Sequence, residues 1–454
     1  MSFNADNLPC AELEYPNDHS SERFMLLVPK DKDLYDPIRC LQQTIHTMVE
    51  YYLTPEQQAL FGPLPDAHLR NLSDDAARIA SPGPEKTPTS SGSTPAASPP
   101  TTASSPSSAS EASSSASSST TATSILSMQS CSSLSSLKDF VPLPTDDAPS
   151  FGFPRRLQRA ISTHDGPLFL KIMDGINALL RAWKYPFLPD DPFESAPPNC
   201  LREMVKTWTD CGIPDAVRLR IIDETYQRTV GPHAHNLNKY ESFSSEVYGE
   251  LLPPFVSEII RATGLHSDSL LVDLGSGVGN VVLQASLETG CSGYGVEINA
   301  APAKIATTQL EQFRLRCRMW GLKMSDVVLE EGDMLESPQT AMMLAKADVV
   351  LVNNKVFKQD LNEAIKAKFL DLKEGAIVVS LKPFVQSSRL SERNIDDISS
   401  ILRVEERRYR RGYVSWGDGG GTYYLHRVDR AGYANARMNH ENSRSSSRST
   451  RSRR

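Results

Sequence analysis

The stretch VDLGSGVGN at residues 272–280 decides the predicted fold. Its acidic residue, Asp273, ends an apolar strand, and Gly275, Gly277 and Gly279 follow at alternate positions. Glycines let a backbone approach a ligand closely, and the helix that begins after them offers its N-terminus. A dinucleotide site has the spacing G-x-G-x-x-G and holds a pyrophosphate at that helix end. The D-x-G-x-G-x-G spacing instead fits a ligand with an amino-acid portion and no phosphate, and Asp273 can face a cation.

Short apolar strands and amphipathic helices alternate around this motif. The helices predicted over residues 302–320 and 358–372 end near Gly321 and Gly375. Continuous apolar strands joined by helical crossovers predict a parallel sheet that is covered on both faces. Two later strands have no long helix between them, so we expect an antiparallel hairpin at one edge of the sheet. The predicted strands are residues 270–274, 294–297, 326–330, 348–354 and 376–382, with the hairpin at 403–409 and 422–428.

Two further acids stand where the second and third strands end. Glu297 lies 18 residues past Gly279, at a point where a carboxylate can accept both hydroxyls of a ribose. Asp333, in EEGDM, follows the third strand, where a carboxylate can accept from an adenine amino group. Three acids at the ends of three successive parallel strands predict an S-adenosylmethionine site. The alternative is a glycine turn with capping acids.

Two other segments carry residues that can border such a site. In VNNKVF at residues 352–357, Asn353 can hydrogen-bond an incoming amine or the donor's amino-acid part, and Phe357 can wall a channel. The alternative is an Asn–Asn turn that leaves a strand. YGE, at residues 248–250, precedes two prolines and the first sheet strand, so it is predicted to be a loop that covers the cofactor.

A glycine-rich segment separates two aromatic residues near the end of the chain. In VSWGDGGGTYYL at residues 414–425, four glycines lie between Trp416 and Tyr423. Two aromatics around a flexible turn can form a narrow apolar tunnel. The alternative is a hairpin whose aromatic residues belong to the core.

The first 80 residues predict a small piece that docks on the body. Residues 23–29 are typical of a short strand. Residues 36–53 predict a helix that is capped by Asp36 and has Pro37 at its first position. This piece is too small to be stable alone.

Residues 81–148 predict a disordered linker. Eleven of the twenty residues 101–120 are serine, and a segment of this kind cannot bury enough surface to offset chain entropy. The alternative is a phosphorylated regulatory segment. Residues 151–245 are predicted to be helical, with amphipathic stretches at 168–184 and 200–208.

Composition excludes several classes of protein. The start, MSFNADNLPC, predicts no secretory signal, and no apolar run approaches the roughly 20 residues that span a bilayer. The seven scattered cysteines form no C-x-x-C pair, which argues against a disulfide framework or a zinc site and for a reducing compartment. No residue pattern predicts a metal.

Charge is divided unevenly along the chain. From Arg403 onward there are 13 arginines and 5 acids, a net charge of +8, against −15 for the 402 residues before it. This asymmetry fits a protein that touches both basic and acidic partners. The alternative is an acidic cytosolic enzyme with a solvated tail.

Together these residues resemble the disruptor-of-telomeric-silencing family, the non-SET methyltransferases that modify lysine 79 of histone H3. The resemblance covers roughly residues 168–429 with order and spacing kept, and the N-terminal piece and serine linker resemble a fungal version of the family. It implies a seven-stranded class I S-adenosylmethionine-dependent methyltransferase sheet with an N-terminal helical subdomain. The matching segments are ESFSSEVYGE, VDLGSGVGNVVLQASLETGC, YGVE, VLVNN, VVSLKPF, VSW and YYLHRVD.

The resemblance implies a domain plan. It divides the chain into an N-terminal extension (1–80), the linker (81–148), the helical part of the catalytic domain (151–245), the methyltransferase core (246–430) and an Arg/Ser-rich disordered tail (431–454).

The resemblance also implies roles for particular residues. The loop at Tyr248 closes over the cofactor, Glu297 is the ribose acid, and Asp333 contacts the adenine. Asn353 is the asparagine of the catalytic pocket and also contacts the cofactor. The aromatic lining of the lysine channel is Phe357, Trp416 and Tyr423. The remaining cofactor residues are Gly249, Glu250, Leu251, Asp273, Gly275, Ser276, Gly277, Gly279, Asn280 and Met334.

The implied partner is a nucleosome. The resemblance implies histone H3 as substrate, contacts with the histone H4 tail and ubiquitinated H2B, a nuclear monomer, and action in silencing and the DNA damage checkpoint. The tail that begins at Arg437 would bind DNA phosphates non-specifically, the alternative being a solvated end. One departure from the family is Lys355, which stands where a large apolar residue is usual in V-N-N-F.

Three competing interpretations remain. An RNA or other class I methyltransferase shares the cofactor site, and YGE and VSW argue against it. A nucleosome-binding protein with decayed catalysis has only Lys355 in its favour. A nicotinamide dehydrogenase is disfavoured by the glycine spacing.

Overall fold

The computed structural model describes residues 8–31, 34–65, 151–186, 188–189, 191, 193–209, 211–237, 249–385 and 398–451. The predicted linker lies outside these ranges and stays a prediction. Within the described part of the chain, no helix is both long and apolar enough to cross a membrane.

The strands and helices are numbered here in chain order. The strands are β1 (Cys10–Glu14), β2 (Ser21–Met25), β3 (Leu270–Leu274), β4 (Ser292–Glu297), β5 (Val327–Glu331), β6 (Val349–Val352), β7 (Ile377–Ser380), β8 (Leu402–Tyr409) and β9 (Gly421–Val428). The helices are α1 (Pro37–Tyr52), α2 (Pro55–Phe61), α3 (Phe153–Ser162), α4 (Gly166–Lys184), α5 (Cys200–Lys206), α6 (Asp215–Thr229), α7 (Ala234–Leu237), α8 (Pro253–Thr263), α9 (Asn280–Thr289), α10 (Ala300–Met319), α11 (Pro338–Lys346), α12 (Gln359–Lys368) and α13 (Arg430–Arg451).

The central sheet has seven strands in the order β5-β4-β3-β6-β7-β9-β8. Strands β3 to β7 run parallel, β9 is antiparallel to β7, and β8 is antiparallel to β9. This order confirms the predicted seven-stranded sheet and its edge hairpin. The chain moves outward from β3 to β5 and then returns to place β6 on the other side of β3. Open α/β sheets bind ligands at such a point of reversal, beyond the carboxyl ends of the strands.

The sheet is buried on both faces, which explains why its strands are continuous apolar runs. On one face, Leu271 and Val349 pack with Phe255 of α8. On the other face, Val272 and Val350 pack with Leu344 of α11, as does Ile365 of α12. Alternate strand residues therefore serve two separate hydrophobic clusters.

The N-terminal extension docks on the body, as the sequence predicts. The Tyr52 hydroxyl donates to the carbonyl oxygen of Trp320 at 2.7 Å. The Asn177 side chain accepts from the Glu14 backbone N–H and donates to the Glu12 carbonyl. The Arg316 guanidinium pairs with Glu22 and with the fully buried Glu224. Buried pairs of this kind tie β1 and β2 to α4, α6 and α10.

One strand differs from its prediction. The sequence predicts a strand over residues 23–29, whereas β2 covers Ser21–Met25. Its partner β1, which the sequence did not predict, pairs Cys10 with Met25 and offers no strand residue beyond that point. Leu27 and Val28 are therefore left outside the ladder and are 41% and 72% exposed.

The C-terminal tail also differs from its prediction. The sequence predicts disorder from residue 431, whereas α13 is a helix over Arg430–Arg451. The Asp429 side chain accepts from the Gly432 N–H at 2.7 Å and caps the helix, and Tyr433 packs against the core. The segment contains no proline, so nothing in its residues interrupts the first turns.

Candidate functional site

The glycine-rich loop turns tightly at the carboxyl end of β3. Gly275, Gly277 and Gly279 have φ values of 86°, 56° and 86°, in the left-handed region that glycine adopts without strain. A Cβ atom on Gly279 would lie 2.7 Å from the Leu329 side chain. The alternate glycines are therefore required by backbone conformation and by close packing against β5.

Glu297, at the end of β4, holds this loop in place. Its Oε2 accepts from the Gly277 N–H at 2.9 Å, and its Oε1 accepts from the Asn299 N–H at 2.8 Å. Both oxygens keep further lone pairs, because an ionised carboxylate can accept about four hydrogen bonds. Glu297 can therefore organise the loop and accept from a ligand at the same time.

Asp273 is a buried acid at the end of β3 and is 3% exposed. Burial, with a further contribution from the charge of Glu297, raises the pKa of Asp273 to about 7. Among the described residues, no donor lies within hydrogen-bond distance of its carboxylate. A buried acid without a donor is costly to ionise, so this position suits the positive end of a ligand.

The loop after β5 carries Asp333. The Asp333 Oδ1 accepts from the Leu335 N–H at 2.8 Å, which closes the turn. Glu330 clamps the base of this loop, because it accepts from the Ser337 hydroxyl at 2.7 Å and from the Tyr294 hydroxyl at 2.5 Å. Desolvation and this bond to Glu330 raise the pKa of Tyr294 to about 12, so its hydroxyl keeps the proton that it donates.

Asn353 directly follows β6, and its side chain hydrogen-bonds a segment that is distant in sequence. Its Nδ2 donates to the carbonyl oxygen of Gly249 at 3.0 Å, across 104 residues of sequence. Phe357 and Met334 both approach Gly275, where an added Cβ would lie 3.8 Å and 3.7 Å from their side chains. Asn353, Phe357 and Met334 thus lie beside the glycine loop.

The segment after residue 248 pairs with the chain before β9. Ser415 donates from its N–H to the Glu250 carbonyl at 3.0 Å, and the Ser415 hydroxyl accepts from the Glu250 N–H at 2.9 Å. Leu251 and Val414 form an antiparallel bridge. This pairing sets Trp416 against Gly249, where an added Cβ would lie 2.6 Å from the Trp416 ring.

These residues surround one cavity of about 230 Å³. Its lining contains most of the residues that the sequence predicts to bind the cofactor or border the channel. They are Gly249, Glu250, Leu251, Asp273, Gly275, Ser276, Gly277, Asn280, Glu297, Asp333, Met334, Asn353 and Phe357. The lining also includes Ile298, Asn299 and Pro302, which the sequence did not predict. Their position directly after Glu297, at the carboxyl edge of the sheet, is the signal that could have found them.

Four predicted residues are not part of the cavity lining. Tyr248 lies outside the described residues. Gly279 packs on Leu329 behind the loop, and Trp416 covers Gly249 and is 37% exposed. Tyr423 is fully buried, with its ring edge-on to Phe255 at 5.3 Å between centroids. The alternative given for Tyr423, a core aromatic of a hairpin, describes these surroundings.

Lys355, the departure from the family pattern, is exposed. It lies on the turn between Asn353 and Phe357, and its side chain does not line the cavity. Lys355 therefore contributes to the surface beside the site and not to the cavity lining.

The sheet order and this cavity define a class of protein. Asp273 is buried with no donor in the part of the chain that the structure describes, Glu297 can accept further hydrogen bonds, and Asp333 stands at the next strand end. These features fit the amino-acid, ribose and adenine parts of S-adenosylmethionine. The fold and site are those of a class I S-adenosylmethionine-dependent methyltransferase.

Comparison with known proteins finds similarity to one group of methyltransferases. The model for histone methylation protein DOT1 matches residues 226–428. The histone-lysine N-methyltransferase, H3 lysine-79 specific, of Mycosarcoma maydis is 34% identical over 93% of this chain and 60% of that protein. The proteins of the same name from Chaetomium globosum and Cryptococcus neoformans are 42% and 35% identical, over 61% and 94% of this chain and 51% and 63% of their own lengths. The DOT1 model thus matches the part of the chain that contains the seven-stranded sheet and the cavity.

The curated relatives are longer than this chain. The chain spans between about half and two thirds of the length of these curated relatives, at 60%, 51% and 63%. A solved RNA methyltransferase from Salinibacter ruber, 21% identical over 40% of this chain and 94% of that one, has a TM-score of 0.28. The fold assignment therefore rests on the strand order.

Proposed function

We propose that this protein transfers methyl groups from S-adenosylmethionine to lysine 79 of histone H3 within the nucleosome. One observation carries the proposal. Asn353 and Phe357 lie at the same cavity as the strand-end acids Asp273, Glu297 and Asp333, within the segment that the DOT1 model matches. The cavity thus combines groups suited to the methyl donor with an amide and an aromatic suited to an amine.

The cofactor would be held by groups that have accepting capacity left. Asp273 would face its ammonium group, Glu297 its ribose hydroxyls and Asp333 its adenine amino group. When bound, S-adenosylmethionine supplies a methyl group on positively charged sulfur. Because Asp273 has a pKa of about 7 in the protein alone, a bound cation would favour its ionised form.

The chain's contribution to transfer is desolvation and orientation. A lysine amine is protonated at neutral pH and cannot attack until it loses that proton. Phe357 and Trp416 would surround the amine with apolar surface, which disfavours its charged form and releases the proton to water. The Asn353 Nδ2 donates to the Gly249 carbonyl, and the Asn353 Oδ1 would accept an N–H of the neutral amine. That contact would aim the nitrogen lone pair without a strong general base.

The proposed substrate is a particle, so docking matters as much as the pocket. The C-terminal segment carries arginines at positions 437, 444, 448, 451, 453 and 454. We infer that these arginines bind DNA phosphates, with the salt dependence typical of such contacts. The acidic remainder of the chain would accept a basic histone H4 tail, and ubiquitinated H2B would complete the surface. These contacts imply action in the nucleus, as a monomer, in silencing and the DNA damage checkpoint.

The test is methyl transfer from labelled S-adenosylmethionine to three acceptors in parallel: intact nucleosomes, free histone H3 and bulk RNA. A fourth reaction uses nucleosomes whose histone H3 has arginine in place of lysine 79. We expect label on nucleosomal H3, little label elsewhere, and none on the altered nucleosome. Label on RNA would keep the fold and cofactor and overturn the substrate. Cofactor binding without label on any acceptor would overturn the activity.

A further inference from the structure

Asn354 is buried beside the proposed reaction site and has no part in the mechanism above. It directly follows Asn353 and is 1% exposed. Its Oδ1 accepts from the backbone N–H groups of Leu381 and Lys382, at 3.0 Å and 2.8 Å. Its Nδ2 donates to Asn362 Oδ1 at 2.9 Å and to the Lys382 carbonyl at 3.1 Å. The side-chain amide therefore uses both of its donors and both of its accepting positions.

The backbone of Asn354 is bonded as fully as its side chain. Its N–H donates to the Val352 carbonyl at 2.9 Å, and its carbonyl accepts from the Phe357 N–H at 3.3 Å. Asn362, which receives the Asn354 side chain, also donates to the Phe357 carbonyl at 3.3 Å and to the Lys358 carbonyl at 3.0 Å. Asn354 and Asn362 together close the turn over residues 353–357.

Three separate elements meet at this one side chain. They are the end of β6, the turn that follows β7 at Leu381 and Lys382, and the first residues of α12 at Asn362. A buried amide whose hydrogen bonds are all satisfied holds its surroundings in a single arrangement, because breaking any bond leaves a polar group unpaired. The hydrogen bonds of the Asn354 side chain thus hold the turn that carries Asn353 and Phe357 in one conformation.

We propose that Asn354 is a positioning residue for methyl transfer. It touches neither substrate nor cofactor, since it does not line the cavity, and acts through its two neighbours on the turn. It aims the Asn353 amide, which bonds the Gly249 carbonyl, and it sets the depth of the Phe357 ring beside Gly275. This inference rests on the proposed function, because the group being oriented is the acceptor amine.

The first test compares Asn354→Ala with a matched control, Ser380→Ala. Ser380 is buried, and its hydroxyl donates at 2.8 Å to the same Lys382 carbonyl, but among the described residues its side chain forms no hydrogen bond with the turn over residues 353–357. For Asn354→Ala we expect kcat on nucleosomes to fall about 100-fold, since misplaced reacting groups cost roughly that factor. The dissociation constant for the cofactor should stay within about 3-fold, and Ser380→Ala should keep kcat within about 3-fold at a similar loss of melting temperature.

A second variant distinguishes a loss of positioning from a loss of folding. Asn354→Asp keeps the acceptor for the Leu381 and Lys382 N–H groups and replaces the amide donor by an oxygen that faces the acceptor oxygens of Asn362 and Lys382. It should fold with the wild-type circular dichroism spectrum and still lose kcat by about 10-fold or more. A kcat within about 3-fold of wild type in folded Asn354→Asp and Asn354→Ala would overturn the inference.

The third test asks whether Asn354 acts through Asn353. Removing Asn354 in an Asn353→Ala background should reduce kcat by less than about 5-fold, because residues that act as a unit are not additive. An equal factor in both backgrounds would mean that Asn354 only stabilises the fold, and would overturn its positioning role. Wild-type protein that does not methylate nucleosomal H3 would overturn the proposed function and this inference with it. Active wild type with unaffected Asn354 variants would overturn the inference alone.

Discussion

The carboxyl groups of Asp273 and Glu297 border one cavity from the ends of adjacent parallel strands, but they differ in their hydrogen bonds to the backbone. Glu297 accepts two backbone N–H bonds, from Gly277 and Asn299. Asp273 has no such donor among the described residues, and burial together with the neighbouring Glu297 raises its pKa to about 7. Glu297 is held by two backbone donors and keeps accepting capacity for a ligand, whereas the whole carboxylate of Asp273 is left for a ligand.

Asp273→Asn should therefore weaken cofactor binding in a pH-dependent way. In the wild type, affinity for S-adenosylmethionine should rise as pH increases through 7, because the ionised carboxylate attracts the ammonium group. The variant should bind about 10-fold or more weakly at pH 8 and show a flat profile. Isothermal titration calorimetry between pH 6 and 8.5 checks this, and a wild-type profile without slope would contradict it.

The same substitution should stabilise the unliganded protein at high pH. The pKa of Asp273 is about 7 in the fold against a usual value of 3.8, so its contribution to the free energy of unfolding is complete below pH 3.8 and is lost as pH rises through 7. Asp273→Asn should raise the free energy of unfolding by up to about 4 kcal/mol at pH 8, at about 1.4 kcal/mol per pH unit. Urea unfolding at pH 4 is the internal control, where the gain should vanish.

Asn353→Ala should separate binding from transfer. The substitution removes the amide that bonds Gly249 and faces the proposed amine, while the acids at the strand ends remain. We expect kcat to fall about 100-fold or more and the cofactor dissociation constant to change by less than about 3-fold. Lys355→Ala, an exposed neighbour on the same turn, is the matched control and should keep kcat within about 2-fold. Normal turnover in Asn353→Ala would remove the proposed role of this residue.

Gly249→Ala should displace Trp416. The new Cβ would lie 2.6 Å from Cε3 of that ring, a distance that real Cβ contacts do not show, so the indole must move. We expect kcat on nucleosomes to fall by about 10-fold to 100-fold. Gly417→Ala on the same loop meets nothing within 4 Å and should leave turnover unchanged. Steady-state kinetics on both variants check this, with Trp416 fluorescence as a second measurement. Unchanged kcat and fluorescence in Gly249→Ala would contradict the displacement of Trp416.

His426 should make the fold sensitive to acid. Its Nε2 accepts from the Phe384 N–H at 3.2 Å, so its Nδ1 carries the proton and faces the Val378 carbonyl at 3.3 Å. Burial lowers the pKa of His426 to about 4, below its usual value of 6.5. The contribution of His426 to the free energy of unfolding is therefore complete above pH 6.5. It is lost as pH falls toward 4, by about 3 kcal/mol in all. In urea unfolding from pH 7.5 to 4.5, His426→Gln should lose part of this slope, and an identical slope would contradict the assignment.

Removing residues 437–454 should weaken nucleosome binding and flatten its dependence on salt. Each phosphate contact contributes about 0.9 to the slope of log K against log salt, so several lost arginines should reduce the slope by roughly 2 or more. A version with lysine at every arginine of this segment should keep most of the slope, and one with glutamine should not. Binding that is the same in the deletion and the full chain would refute the role of the tail.

Much of the sheet could be predicted, because its information is local. A continuous apolar strand, a glycine turn and an amphipathic helix each leave a periodic mark within about 20 residues. The carboxyl ends of parallel strands share one edge, so Asp273, Glu297 and Asp333 could be grouped before any contact was known. The short strand β1 and the helix α13 were missed because their stability comes from partners, in pairing between β1 and β2 and in packing of Tyr433.

The positions of the aromatic side chains at residues 416 and 423 could not be predicted from the sequence. Trp416 and Tyr423 were assigned together to one channel, but Trp416 lies on Gly249 and Tyr423 is buried against Phe255. Residues of one hairpin point to opposite faces according to register, and register depends on the partner strand. The role of Tyr423 in a channel stays a prediction.

The sequence by itself determined the sheet, the order of its strand-end acids and the conformation of the glycine loop, because these follow from periodicity, chain direction and the freedom of glycine. The tertiary structure alone decided which distant groups meet. Asn353 bonds Gly249 across 104 residues, and the Glu250 N–H bonds the Ser415 hydroxyl across 165. Such contacts depend on how whole elements pack, and the free energy that selects them is shared among many residues that carry no local signal.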